Sequence, residues 1–222
     1  HSEEEQMRLL YKFLSYWALY ILVFVSFTGC GGSDSPSSQP VPRGQRILGL
    51  DVKETPTIPY ATAYNQAISE GVKQVKVSLD WALLEPTVGN YDDSLPDIIE
   101  LFYPPQAADL TIVLRPLDTP GPSLPSELAG KNYDDPLVIQ AFENFLTNLH
   151  SRFPTLNASG KLKWIQVGNE IDAYLDKDPV RWLEWRIFFQ AAKNKIISLW
   201  GTEVEVGSVL QFNALQDPDL LN

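Results

Sequence analysis

Residues 164–170, Trp-Ile-Gln-Val-Gly-Asn-Glu, form a short apolar run that ends in an amide and a carboxylate. Runs of similar length recur along the chain, and each is long enough for one β-strand. They occupy residues 47–51, 72–80, 110–117 and 204–210. The run at 110–117 is almost continuously apolar, which is typical of a strand buried on both faces of a parallel sheet. We therefore expect five strands.

Helical segments lie between these strands. Asp135-Pro136 and Asp178-Pro179 each place a capping carboxylate before a proline, which favours a helix start. Apolar residues then recur at spacings of three and four residues, as in an amphipathic helix. A weaker helix is expected over residues 60–70, ended by Gly71. Strands that alternate with helices predict a parallel sheet with right-handed crossovers.

Polar and aromatic residues follow the carboxyl ends of the predicted strands. They are Asp51, Asp80, Trp81, Arg115, Asp118, Asn169 and Glu170. A (β/α)8 TIM barrel builds its active site from this edge. No glycine-rich phosphate loop follows a strand, which disfavours an open nucleotide-binding sheet. The pattern therefore predicts the α/β class and a (β/α)8 barrel.

The composition excludes several kinds of partner and cofactor. The chain has 17 Lys plus Arg against 28 Asp plus Glu, a formal charge of −11, so we expect no nucleic-acid partner. One Cys excludes a disulfide framework and a cysteine-rich metal site, and the count of two His disfavours a His-based zinc site. We expect no cofactor and no metal.

The first thirty residues have the features of an export signal. After Met7, two basic residues precede an almost wholly apolar run over residues 14–27, which ends shortly before Cys30. A small residue before a Cys at this place resembles a bacterial lipoprotein lipobox. The resemblance implies cleavage before Cys30, a lipid anchor on it and a place in the bacterial cell envelope, on the periplasmic or cell-surface face. The alternative is a Cys buried in an apolar helix.

These features divide the chain into three parts. Residues 1–29 are a predicted signal peptide, with extra residues before Met7. Residues 30–45, rich in Ser, Pro and Gly, are a predicted flexible tether between the lipid and the folded part. Residues 46–222 are the predicted N-terminal part of the barrel.

Two motifs resemble the clan A retaining glycoside hydrolases. Residues 164–172 resemble their fourth strand, which ends in Asn-Glu. The sequence Gln-Val-Gly-Asn-Glu at residues 166–170 is also similar to that of arabinogalactan endo-β-1,4-galactanases. Residues 80–92 contain a Trp, then Glu-Pro, then Gly and Tyr, and resemble the loop after strand two in β-galactosidase-type families. The resemblance covers about residues 46–222.

This resemblance implies the two-carboxylate hydrolysis of a β-linked carbohydrate. Glu170 would be the acid/base, and Asn169 would contact the 2-hydroxyl of the sugar. Trp81 would stack on a sugar ring or pack at the rim. Arg115 should be paired, because a free charge at the end of an apolar strand is costly. Asp118 or Asp80 as the partner would make that pair structural, while a position facing the cleft would let Arg115 orient Glu170 and bind substrate. Asp51 and Asp80 are further candidate substrate contacts.

The predicted strands fall short of a complete barrel. A full barrel takes about 250 residues and eight strands, and the clan places its nucleophile, a Glu, at the end of strand seven. Glu203 and Glu205 lie at the wrong end of the fifth predicted strand. We therefore expect a barrel truncated after about five βα units. This chain alone should then lack hydrolase activity, because it has an acid/base and no nucleophile.

Two other functions remain open at this point. A lipoprotein that binds carbohydrate or another solute without catalysis would share the anchor and the alternating elements. A purely structural envelope protein would explain the anchor but not the polar residues at the strand ends.

Overall fold

The computed structural model describes residues 47–212 and residue 214. The predicted signal peptide, Cys30 and the tether lie outside the described residues. Within the described part, no helix is both long enough and apolar enough to cross a membrane.

Five parallel strands form the central sheet. The strands are β1 Gly49–Leu50, β2 Gln74–Asp80, β3 Asp109–Arg115, β6 Leu162–Val167 and β7 Glu205–Gly207. Their order in the sheet is β1-β2-β3-β6-β7, and every neighbouring pair is parallel. The five predicted strands are thus confirmed, although the first and last are shorter than expected. Part of a (β/α) barrel has this arrangement.

A two-stranded hairpin follows β3 and corrects one predicted boundary. The third strand ends at Arg115, and residues Leu117–Asp118 form β4, which pairs antiparallel with β5 at Gly121–Pro122. Pro116 separates the two strands, and a proline cannot donate the backbone hydrogen bond that a central strand needs.

Helices connect the strands. They are α1 Tyr60–Ser69, α2 Trp81–Leu84, α3 Ser94–Phe102, α4 Pro136–Ser151, α5 Pro154–Ser159, α6 Ile171–Leu175 and α7 Pro179–Trp200, with a 3-10 turn at Ser126–Leu128. The predicted caps are confirmed. Asp135 accepts a hydrogen bond from the amide of Leu137 at 2.8 Å, and Asp178 accepts one from the amide of Val180 at 2.9 Å. The sequence analysis missed α3, which ends before Pro104.

The strands of the sheet are buried to different extents. β3 is buried at every position from Leu110 to Leu114, as predicted for a strand covered on both faces. In β2 and β6, only part of the residues are buried in the apolar core, among them Val75 and Ile165. The other positions of β2 and β6 are mostly polar and half-buried, as at Lys76 and Gln166. The alternation in β2 follows the two-residue period of a strand.

Candidate active site at the carboxyl edge of the sheet

The register of the sheet brings the ends of β2 and β3 together. Asp80 and Arg115 are directly paired residues of neighbouring strands. The Arg115 guanidinium lies 3.8 Å from the Asp80 carboxylate and donates to Oδ2 of Asp118 at 2.8 Å. The expected pairing of Arg115 is therefore confirmed, and it involves both carboxylates. The buried Nε of Arg115 has no hydrogen-bond partner within the described chain.

Asp118 is the centre of a hydrogen-bond network. Besides Arg115, it accepts from Nδ2 of Asn169 at 2.7 Å and from the backbone amide of Thr119 at 2.8 Å. Burial raises the pKa of Asp118, but these donors and the nearby guanidinium outweigh that effect and hold the pKa below its ordinary value. Asp118 is thus an ionised carboxylate that ties the hairpin to Asn169 and Arg115.

The turn that leaves β6 is tightly constrained. Gly168 has φ +82° and donates its amide to the carbonyl of Leu114, while Asn169 donates to the carbonyl of Leu117. A Cβ on Gly168 would lie 2.4 Å from Ile171 and 2.7 Å from Trp185, so only glycine fits this position. This turn delivers Asn169 and Glu170 to the edge where Arg115 lies.

Glu170 stands at the end of this turn with a left-handed backbone. Its φ is +48°, an uncommon value for a residue with a side chain and one that often accompanies a functional position. Thr119 donates its hydroxyl to Oε2 of Glu170 at 2.9 Å, and Gln211 donates its side-chain amide to the same oxygen at 3.2 Å. The half-buried carboxyl is therefore held on one side by the hairpin and on the other by the segment after β7.

The sequence analysis missed both donors to Glu170. Thr119 is 51 residues and Gln211 is 41 residues from Glu170 in the chain. Neither residue belongs to a motif, and no local pattern could have pointed to these contacts.

Trp81 corrects a prediction. It is completely buried, with its ring packed edge-on against Phe142, so it has no face open to a sugar. Its indole N–H donates to Oε2 of Glu85 at 2.6 Å, and the amide of Gly89 donates to Oε1 of the same carboxyl at 2.6 Å. The Tyr91 hydroxyl also bonds to Glu85. The Trp, Glu-Pro, Gly and Tyr motif therefore has a structural role: its hydrogen bonds to Glu85 stabilise the loop that follows β2.

Glu85 is a buried carboxyl held mainly by neutral donors. Burial is the main cause that raises its pKa above the ordinary value of 4.5, and the hydrogen bonds from Gly89 and Trp81 oppose that rise only in part. The group favours its protonated form more in the folded chain than in water.

Asp51 and Asp80 have different surroundings. Asp51 is exposed and lies 3.2 Å from the Lys76 ammonium and 3.7 Å from that of Lys53. It is thus held by lysines and not by the Arg115 network. Asp80 accepts from the hydroxyl of Ser123 at 2.5 Å and caps α2 through the amide of Leu83.

The structure therefore brings four of the predicted site residues into one network. Asp80, Arg115, Asn169 and Glu170 are linked through Asp118 and Thr119. Glu205 lies at the first position of β7, at the opposite end of the sheet, and accepts from the Trp164 indole at 3.2 Å. Within the described residues, no group of three His, Cys, Asp or Glu side chains could hold a metal ion.

Solved glycoside hydrolases have a similar fold. An exo-β-1,4-mannosidase from an Opitutaceae bacterium matches with a TM-score of 0.54 and 17% identity, over 64% of this chain and 26% of the mannosidase. A GH5_18 protein from Bifidobacterium longum subsp. longum matches with a TM-score of 0.52 and 14% identity, over 65% of this chain and 36% of that protein. A GH5_18 variant from Streptomyces cattleya in complex with Manβ1-4GlcNAc matches with a TM-score of 0.50 and 16% identity, over 68% of this chain and 40% of that protein.

This chain thus spans less than half the length of these three structures. No protein-family model matches the sequence, and no curated protein does. At such low identity the likeness shows the fold: the five-stranded parallel sheet with its helices corresponds to part of a glycosidase-like (β/α) barrel.

Proposed function

We propose that this chain carries the acid/base part of a retaining glycoside hydrolase that cleaves β-linked glycosides. The observation that carries the proposal is the placement of Glu170. It stands at the carboxyl end of the fourth strand of the sheet, directly after Asn169, and two donors hold its Oε2. In this orientation Oε1 is the oxygen that would exchange a proton with the leaving group.

The chemistry asks for two carboxyl groups with different roles. One protonates the glycosidic oxygen, and the other attacks the anomeric carbon from about 5 to 5.5 Å away. We assign the first role to Glu170. Asp118 is unsuited to the second, because its oxygens already accept from Arg115, Asn169 and Thr119. We place the nucleophile outside the described residues.

Asn169 and Arg115 would support this chemistry in different ways. One N–H of the Asn169 amide is bound to Asp118, which orients the group and leaves its remaining atoms for the sugar 2-hydroxyl. Arg115 pairs with Asp118 and Asp80, and it would hold these two carboxylates in place at the carboxyl ends of the strands without contacting the substrate.

The substrates to try first are β-mannosides. The similar structures include an exo-β-1,4-mannosidase and a GH5_18 variant bound to Manβ1-4GlcNAc. β-Galactosides and β-glucosides follow, because the sequence motifs resemble β-galactosidase-type families.

An external nucleophile tests the role of Glu170. The purified 222-residue chain would be incubated with phenyl β-glycosides, with and without sodium azide. Azide would attack the anomeric carbon while Glu170 gives its proton to the departing phenolate oxygen, producing phenol and an α-glycosyl azide. We expect phenol release that depends on azide and that disappears in Glu170→Gln. Release that persists in Glu170→Gln would refute the role, and robust turnover without azide would show that the chain holds its own nucleophile.

A carbohydrate-binding module without catalysis is the second candidate. It is favoured by Arg115, which pairs with both Asp80 and Asp118 and leaves Glu170 as the single carboxylate of this network not held by a cation. In such a module, azide would release no phenol, and Glu170→Gln would leave the affinity for oligosaccharides nearly unchanged.

We further propose that the protein is a lipoprotein of the bacterial cell envelope, anchored through Cys30. The motif around Cys30 supports this placement. Metabolic labelling with a fatty acid would test it, since label should enter the protein and be lost in Cys30→Ser. An unlabelled chain would exclude the anchor.

A further inference from the structure

A cavity of about 280 Å³ opens beside the candidate site. It is lined by the β5 hairpin at Pro122, the loop before α4, α6 and the first turns of α7. Its lining includes Lys131, Asn132, Tyr174, Val180, Arg181 and Glu184. We call it the rim cavity.

The rim cavity shares two walls with the candidate site. Its hairpin wall also carries Thr119, which donates to Glu170. Its α6 wall begins directly after Glu170 and reaches Tyr174 one helical turn later, a rise of about 6 Å. A glycan with one unit at Glu170 would therefore pass the rim cavity with a neighbouring unit.

The charges in the lining balance. Lys131 lies 2.8 Å from Asp135, and Arg181 lies 3.4 Å from Asp178. Arg181 also donates to the carbonyl of Tyr174 at 2.9 Å and stacks on its ring, 4.8 Å from the centroid. Both cations are thus committed within the protein. This lining offers no net attraction to a phosphate or to an ammonium group.

The polar groups that remain suit hydroxyl groups. Asn132 donates to Oε1 of Glu184 at 2.9 Å, so an amide and a carboxyl lie side by side on one wall. Burial raises the pKa of Glu184, and the nearby carboxylates of Asp134 and Asp178 raise it further. Such a pair can accept from and donate to two adjacent hydroxyls.

The lining also contains apolar groups. Pro122, Leu175 and Val180 supply aliphatic surface beside the polar groups. A pyranose ring has the same division, with C–H groups on its faces and hydroxyls at its edge. From this match in size, charge and polarity, we propose that the rim cavity binds one neutral sugar unit of the glycan whose glycosidic bond lies at Glu170. The inference rests on the proposed function.

Side-chain amide signals of Asn132 provide a direct readout. The ¹⁵N-labelled 222-residue chain would be titrated with β-1,4-mannobiose and methyl β-mannoside, and with methyl β-glucuronide as the anionic control. We expect both neutral sugars to shift the Asn132 signals with dissociation constants of about millimolar order, and the glucuronide to shift them far less. Glu184→Ala should weaken binding about tenfold, the effect of one lost hydrogen bond to a charged or buried group.

A matched pair of tryptophan variants separates filling of the cavity from general damage. Val180 and Leu183 are both exposed on α7, at 61% and 47%, but only Val180 lines the cavity. Val180→Trp should block the binding of methyl β-mannoside, and Leu183→Trp should leave it intact. Because both positions face solvent, both variants should fold.

Three results would overturn the proposal. They are unshifted Asn132 signals with every neutral sugar, equal effects of the two tryptophan variants, and glucuronide binding as strong as mannoside binding. The titration reads the Asn132 signals and needs no turnover, so it fails or succeeds independently of the azide assay. A positive azide assay with a negative titration would reject the cavity and keep the proposed function.

Discussion

Gly168→Ala is the substitution for which the structure makes the sharpest energetic prediction. The new Cβ would meet Cγ2 of Ile171 at 2.4 Å and the Trp185 ring at 2.7 Å. Real Cβ contacts are never this short, so side chains or backbone must move. The backbone φ of +82° adds a cost for any L-residue.

The two contributions can be given magnitudes. A left-handed backbone costs an alanine about 1–2 kcal/mol, and overpacking in a filled core costs about 1–3 kcal/mol. We therefore expect Gly168→Ala to lower the free energy of unfolding by about 2–5 kcal/mol. The amide of Asn169, bonded to Leu117, should shift with the turn and disturb Glu170.

Gly160→Ala is the matched control. Gly160 also has a positive φ, +66°, but its added Cβ would meet no described atom within 4 Å. Gly160→Ala should therefore lose only the part of the unfolding free energy that comes from the left-handed backbone. The stabilisation that an alanine brings by restricting the unfolded chain is common to both variants and cancels in the comparison.

Urea unfolding of both variants would be followed by tryptophan fluorescence at one pH. If the dependence on urea concentration keeps the same slope, the shift of the unfolding midpoint gives the change in unfolding free energy. If Gly168→Ala cost no more than Gly160→Ala, the tight packing around the turn would be refuted.

Three further predictions concern Glu85 and Trp81 in the loop after β2 and the helix cap at Asp178. Since the pKa of Glu85 is raised in the folded chain, the folded state holds that proton more firmly. The protonated Glu85 carboxyl therefore contributes stability below about pH 4.5, and this contribution is lost as the pH rises through the pKa of the folded state. Urea titrations across this pH range should show a slope that Glu85→Gln removes. That variant should also lose about 1–3 kcal/mol at neutral pH, because its NH2 group would face one of the two donors, Trp81 or Gly89. Trp81→Phe should also cost about 1–3 kcal/mol by removing one donor to Glu85, yet leave the NMR titration with mannosides unchanged; weakened sugar binding would restore Trp81 as a sugar contact. Asp178→Ala removes the cap of α7 and should lower the unfolding free energy by about 1 kcal/mol, and an unchanged urea midpoint would contradict that role.

Much of the fold could be predicted because its signals are local. Asp135-Pro136 and Asp178-Pro179 carry the helix starts in adjacent residues, and both caps form. The apolar runs marked all five strands of the parallel sheet. The boundary at Arg115 was missed, since Leu117 continues the apolar pattern while Pro116 breaks the pairing.

The site could be predicted only in part. Arg115 was expected to need a carboxylate, because an unpaired charge at the end of a buried strand is costly, and it has two. Trp81 could not be assigned, because a tryptophan after a strand points outward or inward according to the loop that follows.

The sequence by itself determined the order and type of the elements, the helix caps and the polar residues at the strand ends, because each depends on neighbours a few residues away. Only the tertiary structure decided that Thr119 and Gln211 hold Glu170, that Asp118 joins Arg115 to Asn169, and that the rim cavity opens beside them. Those contacts join residues tens of positions apart, and strand register and hairpin placement bring them together.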